Sequence, residues 1–437
     1  MAVNYEIDPL ALHRLNPARY PYLLESVVHG TASARYDILF AFPGETLTLN
    51  ESHEPDFLES LDRRWTEQHT AIVPDAYSPF RGGWFIYLGY ELAEQIEPSL
   101  RLSATNNSLP IAFATRIPAA VIRDHLTQKT FIISERPELL ETIAADIQTL
   151  GKPAVSQPVL VKATLREDPP QDFLNGVQRI LRYILEGDVF QVNLSREWRG
   201  ELHQAVSAAD VYQCLREANP APFAGLAVYG DSAIISSSPE RLVSVRGDRI
   251  ETRPIAGTRP RRENHDADAA DIQTLLAHPK ERAEHIMLID LERNDLGRVC
   301  VPGSVRVEEL MTTESYAHVH HIVSSVSGRL RPGVTPGQVI RAVFPGGTIT
   351  GCPKVRCMEI IAELEQAARG PYTGAMGYLN HDGSMDLNIL IRTLVKQGRH
   401  ISLRAGAGIV ADSVPERELE ETRAKARGLL RALGAEI

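Results

Sequence analysis

Basic charge and cysteine are both in short supply in this 437-residue sequence: 46 Lys and Arg face 56 Asp and Glu, a formal net charge of -10, and there are four cysteines. The acid excess argues against a nucleic-acid or anionic-membrane binder, since either needs a basic face. A polyanionic small substrate would need local help from a metal or a few placed cations. Cys214, Cys300, Cys352 and Cys357 form no CxxC pair. Zinc-site spacing is therefore absent, and the pattern fits a reducing compartment. No apolar run approaches membrane-spanning length, and the first thirty residues carry Glu6, Asp8 and Glu25 in place of a signal-peptide core. The expected localisation is cytoplasmic. Fixed-period repeats and low-complexity tracts are missing too.

The stretch Phe344–Arg356, FPGGTITGCPKVR, is decided by a further absence. Gly346 and Gly351 have GxxxxG spacing, yet Cys352–Pro353 stand where a nucleotide P-loop needs Lys-Ser/Thr, and the helix-like TPGQVIRAVF precedes it in place of a strand. A P-loop is rejected. The stretch reads as a glycine-rich turn whose backbone N–H groups can face an anion, followed by a helix with Pro353 at its first position.

What is present falls into two parts. The first is mostly β: YDILFAF, PGETLTLN, WFIYLGYEL and the hairpin IAFATRIPAAVIRD/HLTQKTFIIS, closed by a helix over Pro137–Gly151 with Leu139, Ile143, Ile147 and Leu150 at helical spacing. A polar, proline-bearing connection follows. From Gln171 the units lengthen, with helices expected to about Leu185 and over Ala208–Ala218, Ala269–Leu276, Lys280–Leu296, Pro336–Val343, Pro353–Ala367 and Pro415–Leu433. Strands are expected in VFQVNLSREW, SYAHVHHIVSSVSG, GPYTGAMGYL, SMDLNILIRTLV and HISLRAGAGIV. Hairpin-like strand neighbours predict antiparallel sheets flanked by helices, not a doubly wound parallel sheet.

Two helices carry acidic pairs at i, i+3: Glu281 with Glu284, and Glu418 with Glu421, the latter followed one turn on by Lys425. Together they could share one hard cation, although first-turn acids are also ordinary helix chemistry. LRAGAGIV ends a strand with two glycines that let backbone N–H groups approach a ligand, and PIAGTRPRR offers Gly257 and Thr258. In HVHHIVSSV, Val319 and His321 share one strand face, His318 and His320 the other. Glu240, in SSSPERL, is either a surface glutamate paired with Arg241 or an acid held protonated in an apolar pocket.

Taken in order, GDVFQVNLSR, SSSPERLV, RPIAGTRPR, KERAEHIMLIDLERNDLGRV, HIVSSVSG, FPGGTITGCPKVRCMEI, MDLNILIRT and LRAGAGIVADSVPERELEET resemble the chorismate-utilising enzymes. These include anthranilate synthase component I, aminodeoxychorismate synthase component I, isochorismate synthase and salicylate synthase. The resemblance spans Gln171 to Leu433, and YPYLLESV with PFRGGWFIYLGYEL looks like the N-terminal region of the two aminating members. It implies a region 1–165 of that type and a chorismate-binding catalytic region 166–437. It also implies an α/β fold of the α+β type: two large antiparallel sheets packed as a sandwich with helices outside.

The same resemblance implies magnesium held by Glu284 and Glu421 with Glu281 and Glu418 in support. Gly406, Ala407, Gly408 and Lys425 would serve the ring carboxylate of chorismate, Tyr372 and Arg392 the enolpyruvyl carboxylate, and Gly257 and Thr258 the ring. Thr348 and His321 would sit near the departing hydroxyl, with Glu240 as proton donor. Members that add water place lysine where this sequence has Gln191, so glutamine resembles the ammonia users. No Cys-His-Glu glutaminase arrangement is present, which implies a separate glutamine amidotransferase subunit. FPGGTITGCPK resembles aminodeoxychorismate synthase component I, a folate-pathway enzyme. Against it stands Ala256, where well-known examples carry a nucleophilic lysine and anthranilate synthases carry alanine. LLES, Leu23 to Ser26, resembles the tryptophan-binding motif of anthranilate synthase, implying a bound tryptophan; read from residues alone it is a helix start with a buried leucine pair.

Overall fold

Strands with both faces apolar account for the architecture. In Tyr36–Ala41, Leu39 and Ala41 pack toward one side and Ile38 and Phe40 toward the other; in Gly83–Leu88, Trp84, Ile86 and Leu88 oppose Phe85 and Tyr87. Strands buried on both faces need a second sheet on one side and helices on the other. The computed structural model has that arrangement. It describes residues 2–3, 7–28, 35–69, 78–104, 108–150, 161–260, 279–315 and 319–435, except for the side chains of 2–3, 256–260, 279–281, 314–315 and 319–321.

Two antiparallel sheets, of twelve and ten strands, form the sandwich. Their facing sides meet through aromatic rings: Tyr22 of the larger sheet stacks on Phe85 of the smaller at 4.1 Å, and its hydroxyl lies 3.0 Å from Thr115 Oγ1. Helices Pro9–Leu15, Pro137–Leu150, Ala208–Ala218 and Pro415–Ala432 cover the outer face of the larger sheet. Phe57–Gln68, Pro279–Gly297 and Pro336–Val343 cover that of the smaller. Pro170–Glu186 and Lys354–Glu365 pack on Val192, Leu194, Ala407 and Ile409 at the larger sheet's end. Tyr22–Glu25 pairs with Phe223–Tyr229, and Gly83–Leu88 with Ala375–Asn380, so strands from either side of residue 165 share both sheets.

The expected class therefore holds, and most helix bounds agree within a residue or two. The differences cluster near the site. Pro353 is an extended N-cap, and the helix runs Lys354–Glu365 until Gln366 turns left-handed at φ 48. SMDLNILIRTLV is not one strand: Met385–Ile389 belongs to the smaller sheet and Thr393–Gln397 to the larger. The chain crosses between sheets at Arg392, whose φ of 51 is a strained value for a side-chain-bearing residue. A strand-like run without glycine or proline carries no local sign of such a crossing. GPYTGAMGYL is strand only over Ala375–Asn380, because Thr373 also takes a positive φ, 63. Leu23–Glu25 of LLES lie in the strand Tyr22–Glu25, with Ser26 just past its end, and not at a helix start, because the strand completes the larger sheet. Arg306–Ser315 and Val319–Arg329 are separate strands, and the helix expected over Ala269–Leu276 lies outside the described residues.

Candidate active site

Glu240 lies in the two-residue link between the strand Ser232–Ser238 and the next, which begins at Arg241. It is buried, and the hydroxyl of Thr348 donates to its Oε1 at 2.8 Å. Burial pushes the carboxyl up to about 7, against the opposing pull of the Thr348 hydroxyl, the Ile255 N–H, and the charges of Lys425 and Arg392. The surface ion pair with Arg241 does not form; Arg241 pairs with Asp386 at 2.9 Å instead. Thr348 is presented by a short 3-10 turn, Gly347–Ile349, and a side chain on Gly347 would meet Leu291 Cδ2 at 2.4 Å. Glycine is required for that close approach.

The sheet crossing brings Arg392 to Glu240, since the half-buried guanidinium and the carboxyl feel each other's charge. The same crossing positions Tyr372: Thr373 N–H donates to Leu390 O at 2.8 Å, and Leu390 N–H to Gly374 O at 2.8 Å. Burial pushes the Tyr372 phenol up to about 12, so it is a neutral donor at physiological pH. A guanidinium and a neutral phenol are both donors that a carboxylate accepts from.

The strand His400–Ile409 pairs with Gln191–Leu202, Asn193 opposite Gly408 and Ser195 opposite Gly406. A Cβ on Gly406 would meet Asn193 Oδ1 at 2.7 Å and Tyr372 OH at 2.7 Å; one on Gly408 would meet Gln191 Nε2 at 2.3 Å. The two glycines with Ala407 thus leave a side-chain-free cradle beside Tyr372. Lys425 reaches it from the Pro415–Ala432 helix, donating to Gly406 O at 3.0 Å while pairing with Glu421 at 2.8 Å. Glu421 therefore pairs one turn ahead, and not back to Arg417.

Glu284 is half-buried and Glu418 buried. Among the described residues no three His, Cys, Asp or Glu side chains gather into a metal-holding group. The side chains of Glu281, Thr258 and His321 lie outside the described residues, as do those of Ala256 and any contacts of Gly257. The backbone register nonetheless sets Thr258 opposite His321, with an irregularity at Gly257. His285 is a fully buried peg, its Nε2 2.6 Å from Ser324 Oγ, and burial lowers it to about 4.

Several site neighbours escaped sequence reasoning. Glu292 and Asp295 are buried on the Pro279–Gly297 helix, and Lys354 Nζ reaches Asp295 at 2.5 Å. Burial, with Asp295 adding repulsion, pushes Glu292 up to about 8. Beneath Tyr372, Arg369 donates to Glu365 at 2.6 Å and to Asn193 O at 2.7 Å, while Arg404 donates to the other Glu365 oxygen at 3.0 Å. Burial would raise the Glu365 carboxyl, but Arg369 and Arg404 hold it below the usual value. In the sequence, the i, i+4 spacing of Glu365 and Arg369 is the one local signal of these pairings.

Residues 20–431 match the family model for chorismate binding enzymes. The chain belongs to the chorismate binding enzyme family. This family member is 42% identical to aminodeoxychorismate synthase component 1 of Bacillus subtilis (strain 168), covering 95% of this chain and 92% of the relative. It is 44% identical to an anthranilate synthase component I-like protein of Synechocystis, covering 83% of this chain and 75% of the relative. Among solved structures, anthranilate synthase component I from Streptococcus pneumoniae matches with a TM-score of 0.81 at 32% identity, covering 92% of this chain and 93% of that one. Away from the cradle, a cavity of about 140 Å³ opens between the sheets behind LLES, lined by Leu24, Glu25, Ser26, Met376 and Tyr378. No helix among the described residues is long and apolar enough to cross a membrane.

Proposed function

We propose that this chain is an aminodeoxychorismate synthase component I, which aminates chorismate at C4 with ammonia from a separate glutamine amidotransferase subunit. The observation that carries amination chemistry is Glu240: buried, hydrogen-bonded to Thr348 and facing Arg392 and Lys425. Expelling a ring hydroxyl needs a proton at that oxygen, and a carboxyl poised near neutrality supplies it. Tyr372 and Arg392 grip the enolpyruvyl carboxylate, and the Gly406–Gly408 cradle with Lys425 takes the ring carboxylate. The catalytic region is taken as 166–437, with 1–165 completing both sheets, and the setting as cytoplasmic.

Glu284 and Glu421, supported by Glu281 and Glu418, give the all-oxygen donor set that a hard divalent cation takes, and Lys425 ties Glu421 to the cradle. Magnesium bound there would neutralise substrate carboxylate charge. The ammonia source must be external: burial raises all four thiols above their usual value, so none is primed as a glutaminase nucleophile.

One feature favours C4, since anthranilate synthase relatives match as much of this chain as the Bacillus subtilis relative does. Gly346, where anthranilate synthases more often have alanine, would bring a Cβ to 3.0 Å from Ile389 Cδ1. Anthranilate synthase component I is the second reading, favoured by Ala256 and by the cavity behind LLES, which offers a place for tryptophan. The purified chain, given chorismate, magnesium and an ammonium salt, should yield a product that 4-amino-4-deoxychorismate lyase converts to 4-aminobenzoate. Fluorescent anthranilate with pyruvate release would replace the first reading by the second.

A further inference from the structure

Glu365 ends the helix Lys354–Glu365, and Arg369 follows it by four residues on the way to Tyr372. Arg369 is buried, and every N–H of its guanidinium is engaged. Nε and Nη2 fork onto the two oxygens of Glu365 at 3.0 and 2.6 Å. Nη2 also donates to Asn193 O at 2.7 Å, and Nη1 donates to Ile349 O at 3.2 Å and to Thr373 Oγ1 at 3.3 Å. A guanidinium has five donors, so none is left over. Its carbon stands 4.9 Å from the Tyr90 ring centre and 5.5 Å from that of Tyr372.

Each neutral acceptor belongs to a different wall of the site. Ile349 ends the turn that presents Thr348 to Glu240. Asn193 lies in the cradle strand opposite Gly408. Thr373 follows Tyr372, and its N–H is tied to Leu390 in the run that crosses to Arg392. The anchor is itself fixed. Arg369 N–H and Gly370 N–H donate to buried Glu91 at 2.7 and 3.1 Å, and Glu365 also accepts from Ser195 Oγ at 2.8 Å and Arg404 at 3.0 Å. A buried ion pair adds little net stability, because desolvation offsets most of the Coulombic gain. What this one supplies is direction, since a planar fork fixes the angles between its acceptors and a flexible ammonium does not.

We propose that Arg369 is a positioning residue that sets three parts of the site in register: the Thr348 hydroxyl on Glu240, the Asn193 strand of the cradle, and the Tyr372 phenol. The roles of Thr348, Glu240 and Tyr372 are those of the amination reading, on which the inference rests. Arg369 acts through them and touches no reacting atom. Its charge also favours donation by Tyr372: burial raises the phenol, and the nearby cation opposes that rise.

The test is Arg369→Lys, which keeps the charge and loses the fork. Chorismate Kd, titrated with magnesium and without ammonium, should rise about tenfold as Tyr372 loses its placement. In turnover, kcat should fall by about 10–100-fold, and its falling limb should move to higher pH, because a loosened Thr348 no longer favours the Glu240 carboxylate. Lys425 and Arg392, the charges that face Glu240, are unaltered in this variant. A brace that only keeps the chain folded would lower the melting temperature and the active fraction, with Kd and limb in place. Double variants sharpen the distinction. With Thr348→Val present, Arg369→Lys should shift the limb no further, and with Tyr372→Phe present it should add less than about twofold to Kd. Arg369→Ala serves if the lysine variant does not fold. Ethylguanidinium, which replaces its missing atoms through the cleft of about 640 Å³ lined by Arg369, Arg404 and Tyr372, should restore chorismate affinity, and ethylammonium should not. Kd and limb both unchanged in Arg369→Lys, or effects that add in full to those of Thr348→Val and Tyr372→Phe, overturn the positioning role alone. An unaltered chain that forms no aminated product overturns the amination reading, and Kd, which needs no ammonium, still decides for or against Arg369 at Tyr372.

Discussion

Thr348 donates its hydroxyl hydrogen to Glu240 Oε1 at 2.8 Å, joining a glycine-rich loop to an acid 108 residues away in sequence. The donor favours the charged carboxylate while burial opposes it, and burial wins, leaving the acid at about 7. Glu240 must be protonated to deliver its proton, so turnover should hold below that pH and fall above it. Removing the hydroxyl in Thr348→Val withdraws a force that stabilises the carboxylate. The falling limb of the kcat profile should therefore move to higher pH, and a limb that stays in place sinks the assignment. Glu240→Gln should lower kcat by about 10²–10⁴-fold with little change in chorismate KM.

Arg392 offers the second prediction. Its guanidinium is carried at a strained φ of 51 between the two sheets, a placement that serves a planar two-point contact with a carboxylate. Arg392→Lys keeps the charge and loses the fork. Chorismate KM should rise by roughly ten- to a hundredfold, with kcat changed less. A variant with unaltered KM would remove Arg392 from substrate binding.

How much of this was legible beforehand follows the physics of each residue. Antiparallel sheets flanked by helices could be anticipated, because hairpin-like neighbours and apolar strands follow local rules, whereas their packing as a two-sheet sandwich rested on the resemblance. Glu240 could be named but not assigned, since a glutamate after a proline is surface or core depending on contacts with Thr348 and Ile255 that are distant in sequence. The break in SMDLNILIRTLV stayed invisible because Arg392 adopts its backbone angle under tertiary constraint, without glycine to announce it. Glu292 and Asp295 carry no local sign of burial, because only packing of the Pro279–Gly297 helix against the smaller sheet buries them.

The two cradle glycines should respond differently to alanine. At Gly406 the new methyl would press on Leu194 O at 2.8 Å as well as on Asn193 and Tyr372, and a backbone carbonyl cannot swing aside. At Gly408 it would meet only the Gln191 side chain, whose amide can rotate away. Gly406→Ala should cost both melting temperature and chorismate binding, by about 1–3 kcal/mol in stability. Gly408→Ala should keep its melting temperature. Equal melting temperatures for the two variants would contradict the difference in their surroundings.

Magnesium dependence is checked by thermal shift without any turnover. Magnesium with chorismate should raise the melting temperature of the unaltered chain, because a ligand bound only by the folded state stabilises it. Glu421→Gln should abolish most of that rise, while Glu240→Gln should retain it. A rise of equal size in both variants would dissociate Glu421 from the metal.

Glu292 ties the buried acids to stability. The folded carboxyl keeps its proton until about pH 8, whereas the unfolded chain releases it near 4.5. Between those values the folded state binds the extra proton, so stability is complete at the acid end and drains away as pH rises through 8. From about pH 6.5 to 8 the loss attributable to Glu292 is roughly 2 kcal/mol. Glu240 and Glu25, each pushed up to about 7, add to the fall only up to that pH. Urea midpoints of the unaltered chain should therefore drop across this interval. Glu292→Gln, which has no proton to lose, should flatten the drop, and an equally steep decline in the variant would mean that Glu292 titrates elsewhere.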